Sequence, residues 1–518
     1  MADREGEALR AYHRHTVHSE RRLRTNRHFL DFANQPLPFK IYSDLEAIPL
    51  PRLRPPLEMP ALHAIAASAE PAESDAAPVE PPDLTALSRV LYFSAGITKA
   101  RRFPGGEVSF RAHPNTGALY HVDLYVVCRE LPGLAAGVYH FGPHDFALRR
   151  LREGDQRARL VEASGGDPAL ARAPLLLVSA STYWRNAWKY QARAYRHCFW
   201  DSGALHANLL AVAATQRLDP RVNLGFADAP VEKLLGLDPA REGVLSLVGL
   251  GDDRDPPPKA PPAPELQLAT EPLSDREVDH PEIRAAHAAS TLESGAAAAA
   301  WRAVRVERVQ PAAHGPVLGL RPRADEELPS ESLESVIQRR GSTRAFDPKR
   351  SLSAAELATA LERSTRGAPL DFLHRTVPTL LDLYLIVHHV EGIPAGSYYY
   401  RREERALEPL RTGNFRREAG RLGLFQELPA DAAVDVYCLA DLDAVLDGLG
   451  NRGYRAAQFE GGLVGGRLYL CAYAQRFGAT GLTFLDDEVT DFFSPHAAGK
   501  SVMFLVALGR SLRRPEAA

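Results

Sequence analysis

Apolar residues along this chain fall into two rhythms. HVDLYVVC (121–128), APLLLVSA (173–180) and VLSLVGLG (244–251) are short, nearly continuous apolar runs. Such runs predict buried strands. LDLYLIVHHV (381–390), AAVDVYCLA (432–440) and VMFLVALG (502–509) read the same way. GALHANLLAVAATQRL (203–218) and GGLVGGRLYLCAYAQRFG (461–478) have instead the length and spacing of helices. Helices mixed with strands in this way predict an α+β or α/β sandwich.

The matching runs lie at a fixed distance. Asp123-Leu124-Tyr125 falls on Asp382-Leu383-Tyr384, 259 residues later, and at the same offset Gly137 meets Gly396, Arg193 meets Arg452 and Tyr195-Arg196 meets Tyr454-Arg455. A period this long is a duplicated domain rather than a solenoid repeat. Residues shared by both copies, such as Arg196 and Arg455, point to structure more than to catalysis. The proline-rich stretch DDRDPPPKAPPAPE (252–265) reads as a stiff linker. The expected organisation is an N-terminal extension (1–60) packing on the first domain, a first domain (61–255), a linker (256–265) and a second domain (266–518). SAEPAESDAAPVEPPDL (68–84) reads as an exposed or disordered loop inside the first copy.

At 518 residues the chain is too long for one core. The net charge of −3 supplies no field that would attract nucleic acid or an anionic membrane surface. No apolar run reaches the roughly 20 residues needed to span a bilayer, and the charged N-terminus lacks a signal-like apolar segment. Four cysteines without a CxxC pair fit a reducing cytoplasm. The 18 histidines show no metal-ligand spacing, so no metal is expected, and there is neither a GxGxxG nor a P-loop.

Chemistry concentrates in RRGSTRAFD (339–347), where Arg339, Arg340 and Arg344 alternate with the hydroxyls of Ser342 and Thr343. Guanidinium forks beside short hydroxyls suit a phosphate monoester; a solvated basic loop is the plainer alternative. A second candidate is Lys189-Tyr190 in WRNAWKYQARAYR. A lysine acts as a base only if burial or a nearby cation lowers its pKa, and an ordinary amphipathic helix is the alternative here.

RRGSTRAFD resembles the flavin-phosphate motif that opens the FMN-dependent nitroreductase fold. RAHPNTGALYHVDLYVV (111–127) resembles the PSAGALYPLELYVV segment of SagB/ThcOx-type dehydrogenases, which oxidise azolines in ribosomal peptides. GLAAGVYHF (133–141), KYQARAYRHCFWDSG (189–203), FANQPLPFKIY (32–42) and VDHPEIRAAHAASTLE (278–293) resemble the same subfamily. His113, Asn115-Thr116 and His121 depart from its pattern.

The resemblance implies an α+β fold of two tandem nitroreductase-like domains forming an intrachain pseudo-dimer, as a monomer or a further homodimer. It implies an FMN phosphate held by Arg340, Ser342 and Arg344 with Arg339, and a covering loop of His113, Pro114, Asn115, Thr116, Gly117 and Leu119. It also implies a flavin-facing loop at Thr480, Gly481 and Leu482, and basic residues returning at Arg510 and Arg513, where a solvated tail is the alternative. Lys189 and Tyr190 correspond to the pair implicated in proton removal from a peptide or small-molecule substrate, with hydride passing to the flavin and oxygen reoxidising it. Copy one lacks the arginine motif; copy two has HRTVPTLLDLY (374–384) in place of the loop and Gly448-Leu449 in place of Lys-Tyr. In such dimers the motif and the loop come from opposite protomers, so one composite FMN site is expected. An NAD(P)H-dependent nitro- or quinone reductase, or a non-catalytic flavin- or partner-binding module, are the rival readings.

Overall fold

A computed structural model describes residues 6–512 except 52–55, 70–80, 104–105, 254–255, 307–309, 311, 314 and 375–376. The first unit contains β1 (Ala47–Pro49), β2 (Ile97–Phe103), β3 (Gly106–Arg111), β4 (Val122–Cys128), β5 (Gly137–Gly142), β6 (Ala147–Glu153), β7 (Leu175–Thr182), β8 (Arg221–Asn223) and β9 (Glu242–Leu250). The second contains β10 (Leu318–Gly319), β11 (Leu381–Val387), β12 (Gly396–Arg401), β13 (Ala406–Thr412), β14 (Val434–Ala440), β15 (Gly478–Gly481) and β16 (Ser501–Gly509).

Two seven-stranded sheets result, ordered β1-β6-β5-β4-β7-β9-β8 and β10-β13-β12-β11-β14-β16-β15. The orders correspond strand for strand, so the duplication seen in sequence is a duplication of topology. All neighbours within each sheet are antiparallel. Every residue of β4, β7, β11 and β14 is buried, because apolar clusters cover both faces of each sheet. That is why these strands read as continuous apolar runs rather than alternating ones.

Between the sheets run a first long helix (Ala194–Thr215) and a second long helix (Leu442–Ala474). They cross at Gly203 and Gly462, which are 259 residues apart. A Cβ on Gly203 would lie 2.2 Å from the Phe459 carbonyl oxygen, and one on Gly462 would lie 2.1 Å from that of Trp200. The second long helix is interrupted at Gly450 (φ 59°, ψ −162°). In the first unit the same interruption separates the helix Tyr183–Tyr190 from the first long helix, at Gln191 (φ 50°, ψ −141°).

The units are locked by two reciprocal ion clusters. Arg193 and Arg196 of the first unit reach Asp486 of the second (2.9 and 2.5 Å), and Arg452 and Arg455 of the second reach Asp228 of the first (2.5 and 2.7 Å). An N-terminal helix completes each cluster. Arg196 donates to Thr16 Oγ1 and the His13 carbonyl from the helix Glu7–His15. Arg455 donates to Ser290 Oγ and the His287 carbonyl beside the helix Pro281–Ala289.

These N-terminal segments are exchanged between the units. The extension was expected on the first domain; residues 37–50 do lie along the first sheet, with β1 paired to β6. Helix Glu7–His15 instead leans on the second long helix, with Leu9 N donating to Asn451 and Arg10 paired to Asp443. Its Leu9–Tyr12 face is buried there. Conversely, residues 269–276 of the second segment run beside the first unit, where Leu37 N donates to the Leu273 carbonyl and Glu271 N to that of Ile41. The linker is seated rather than free: Arg152 and Arg159 donate to the carbonyls of Pro264 and Pro261. No helix among the described residues is long and apolar enough to cross a membrane.

Candidate functional site

The arginine motif follows the short helix Leu333–Arg339, which Ser332 caps and Arg340 ends with extended backbone (φ −52°, ψ 143°). Thr343 N donates to the Ala479 carbonyl, tying the motif to β15. Ser342 Oγ lies 3.1 Å from Tyr469 Oη, which accepts from Gly481 N. The motif and the Thr480–Leu482 segment therefore sit together.

Arg340 turns away from its own unit. It is 6% exposed, and it donates from Nε to the Ala112 carbonyl (3.0 Å) and from Nη2 to that of Arg111 (3.1 Å). Those carbonyls belong to the first unit, directly before His113. From the opposite side Lys99, on the β2–β3 hairpin, donates to the carbonyls of Arg339 (2.9 Å) and Arg340 (2.5 Å). Burial and the Arg340 charge lower the Lys99 pKa. This fourth cation was missed because the hairpin ITKARRF has no buried face and so no apolar signal.

The loop after His113 is built around Asp201. Its carboxylate accepts from Thr116 N (2.9 Å), Thr116 Oγ1 (2.7 Å) and His121 Nε2 (2.8 Å), while His121 Nδ1 meets Ser181 Oγ (2.8 Å). His121 thus makes the loop's anchor where the resembling proteins carry proline. Glu460 does the same in the second unit, accepting from Thr379 Oγ1 and Leu380 N (2.8 Å). Asp201 and Glu460 are 259 apart, but their differing identities hid them from a search for repeated residues. Gly117, Ala118 and Tyr120 all take positive φ (66°, 54° and 47°). At Gly117 a Cβ would also approach Tyr190 Oη to 3.0 Å. The loop and the Lys189-Tyr190 helix end are therefore in contact.

Lys189 is half-buried, with its Nζ 5.4 Å from the Tyr190 ring centre. Burial and the nearby Arg344 charge both lower its pKa. Burial, with Asp201 adding, raises that of Tyr190. Arg344 comes from the second unit and is exposed. The three features each retained by a single copy (arginine motif, covering loop and Lys-Tyr pair) thus converge on one interface.

Several of the candidate cations are already engaged: Arg339 pairs with Glu331 (2.6 Å), Arg510 makes two bonds to Glu356 (2.8 and 2.7 Å), and Arg340 bonds the first unit's backbone, while Arg344 is exposed. Arg513 lies outside the described residues. The buried group Asp228, Glu232 and His287 has metal-like composition, but Arg452 and Arg455 already occupy Asp228, which disfavours a cation.

The opposite interface is built differently. The helix Ala61–Ala67 takes the place of the motif helix and ends in Ser68 rather than arginine. Asp371 of the second unit accepts from Leu224 N (2.9 Å) and Gly225 N (2.8 Å), the amides that correspond to Leu482 and Thr483. Leu370 pairs with Val222 beside it. A side chain thus engages the backbone that would face a flavin there, and burial raises the Asp371 pKa to about 6.

With this geometry in place, comparison defines the class. The nitroreductase family model matches residues 75–252. The chain therefore contains a nitroreductase-family domain and consists of two tandem nitroreductase-like folds. A crystal structure from Anabaena variabilis, designated a nitroreductase, aligns with 98% of this chain and 100% of its own at TM-score 0.76 and 27% identity. MJ1384 of Methanocaldococcus jannaschii, also designated a nitroreductase, is 28% identical over 172 residues, 33% of this chain and 81% of that protein. The microcin B17-processing protein McbC of Escherichia coli is 29% identical over 151 residues, 28% of this chain and 55% of McbC.

Proposed function

We propose that the chain is an FMN-dependent dehydrogenase of SagB/ThcOx type, acting on a peptide-derived azoline or a similar heterocycle at a single composite site. The observation that carries this reading is the bond from Arg340 of the second unit to the backbone at Arg111 and Ala112, immediately before the covering loop of the first. The local chemistry fits the cofactor. Arg340, Ser342 and Arg344 suit its phosphate, and the buried Asn115 Nδ2 and His113 Nε2 have no partner among the described residues. Bound there, FMN would supply a two-electron acceptor.

The chain's own residues would do the rest. Lys189, its ammonium destabilised by burial and by Arg344, takes the proton from the carbon beside the azoline nitrogen. Tyr190, held neutral, orients the lysine and supports the loop at Gly117. The relation to McbC, a microcin-processing protein, favours a peptide-derived substrate over a nitro compound.

The test has two parts. Arg340→Ala with Arg344→Ala removes charge-assisted bonds of about 1.5–3 kcal/mol each and should strip FMN from a folded protein. Lys189→Met should keep one FMN per chain yet lower turnover by about 10²–10⁴. Two flavins per chain, or unchanged turnover in Lys189→Met, would overturn the one-sided site. Rapid flavin bleaching by NAD(P)H alone would favour the reductase instead.

A further inference from the structure

The second interface holds a cavity of about 90 Å³ that the reaction above does not use. Its walls include Leu370, Leu373 and Val377 from the covering segment and Leu463, Val464 and Arg467 from the second long helix. By the internal repeat it is the counterpart of the flavin-side interface: Glu460 corresponds to Asp201 and Arg467 to Asn208. In this second interface Asp371 engages the backbone at Leu224 and Gly225, and no arginine motif is present. What remains is a small pocket of mixed polar and apolar lining with one buried cation, Arg467, and an apolar side formed by Leu370, Leu463 and Val464.

Arg467 is 1% exposed. Its hydrogen-bond acceptors among the described residues are neutral: Nη1 donates to the Gly367 carbonyl and Nη2 to Ser68 Oγ (3.1 Å). Its Nε has no acceptor among the described residues. Glu460 lies near enough to act on this charge, but its oxygens accept from Thr379 and Leu380 N. Like Arg340, Arg467 is a buried guanidinium whose hydrogen-bond acceptors are neutral, whereas buried charges are ordinarily paired.

The placement of this arginine follows that of Arg340. In the flavin-side interface Arg340, at the end of the motif helix, crosses to the backbone before the covering loop. In the second interface Ser68 stands at the end of the corresponding helix, and Arg467 reaches it from the other side. Each interface therefore retains one buried arginine bridging the same two places, although the flavin-specific parts survive only once.

We propose that the second interface is a binding site for a small carboxylate with an apolar body, its head on Arg467 and its body against Leu370, Leu463 and Val464. Other charges facing the space are already engaged or peripheral. Asp382 accepts from Tyr399 Oη and pairs with Lys500, Arg402 donates to the Thr365 carbonyl, and Glu403 is exposed at the rim. A charge-matched head and a body of a few carbons fit both the donor and the volume.

The test is calorimetry on the full-length, flavin-loaded protein with 3-methylbutanoate, against 3-methylbutanamide as its uncharged isostere. One carboxylate per chain should bind saturably, with the amide at least about tenfold weaker. Arg467→Gln should weaken the carboxylate by a similar factor without changing flavin absorbance per chain. Should Arg467→Gln fail to fold, Val464→Phe, which fills the cavity and leaves the arginine, should abolish binding. No saturable binding, equal binding of the amide, or binding retained in Val464→Phe would overturn the proposal. Loss of carboxylate binding on Arg340→Ala would assign it to the flavin-side interface and would equally overturn it.

Discussion

Gln191 holds backbone angles (φ 50°, ψ −141°) that suit glycine, and it directly follows Lys189-Tyr190. The second unit has Gly450 at the corresponding break, with similar angles and no Lys-Tyr pair. Strain of this kind costs about 1–3 kcal/mol and persists where surroundings hold it. Here Asn26 donates to Gln191 Oε1 (3.0 Å) and Gly117 abuts Tyr190. Gln191→Gly should therefore leave thermal stability unchanged or raised while lowering turnover, because the end of the Lys-Tyr helix loses its fixed direction. A variant with lowered stability and intact turnover would show that Gln191 is not strained. At this scale the sequence made Lys189, Tyr190 and Arg340 candidates through resemblance, marked His121 only as a departure from the pattern, and marked Asp201 and Lys99 not at all. His121, Asp201 and Lys99 matter through partners distant along the chain, and local pattern carries no record of such partners.

The crossing of the two long helices depends on a pair of glycines. Since a Cβ on Gly462 would meet the Trp200 backbone at 2.1 Å, Gly462→Ala must push the helices apart. The expected loss is about 1–3 kcal/mol, read as a lower urea midpoint. An unchanged midpoint would mean that the crossing relaxes freely. The strands legible in sequence (β4, β7, β9, β11, β14 and β16) are the central ones, covered on both faces. β2 and β3 were not legible, since their exposed hairpin is specified by pairing register rather than by burial. The edge strands β1 and β10 are too short, at 3 and 2 residues, to leave a period.

Assembly of the two units rests on Asp228 and Asp486, each shared by two arginines of the other unit. Burial alone would raise these carboxyls, but the paired guanidinia outweigh it and hold both below their usual range. A depressed folded pKa contributes stability above the unfolded value of about 3.9 that is lost as pH falls through the folded value. Asp486→Asn leaves Arg193 and Arg196 without a counter-charge and should cost about 3–5 kcal/mol at pH 7. By denaturant titration that deficit should shrink as the pH is lowered from 5 toward 3. A pH-independent deficit would mean that the cluster contributes shape rather than charge.

The sequence by itself determined the duplication, the central strands and long helices of each unit, and the division of the arginine motif, covering loop and Lys-Tyr pair between the copies. Each of these follows from the chemistry of neighbouring residues or from comparing the chain with itself. Only the tertiary structure decided that Arg340 meets Ala112 across 228 residues, and that the N-terminal helices are exchanged. It also decided that Asp371 engages the backbone of the second interface while Arg467 lines a cavity there. Periodicity encodes how deeply a segment is buried, but not which surface buries it, and docking of the two units chose among surfaces that the local pattern leaves equivalent.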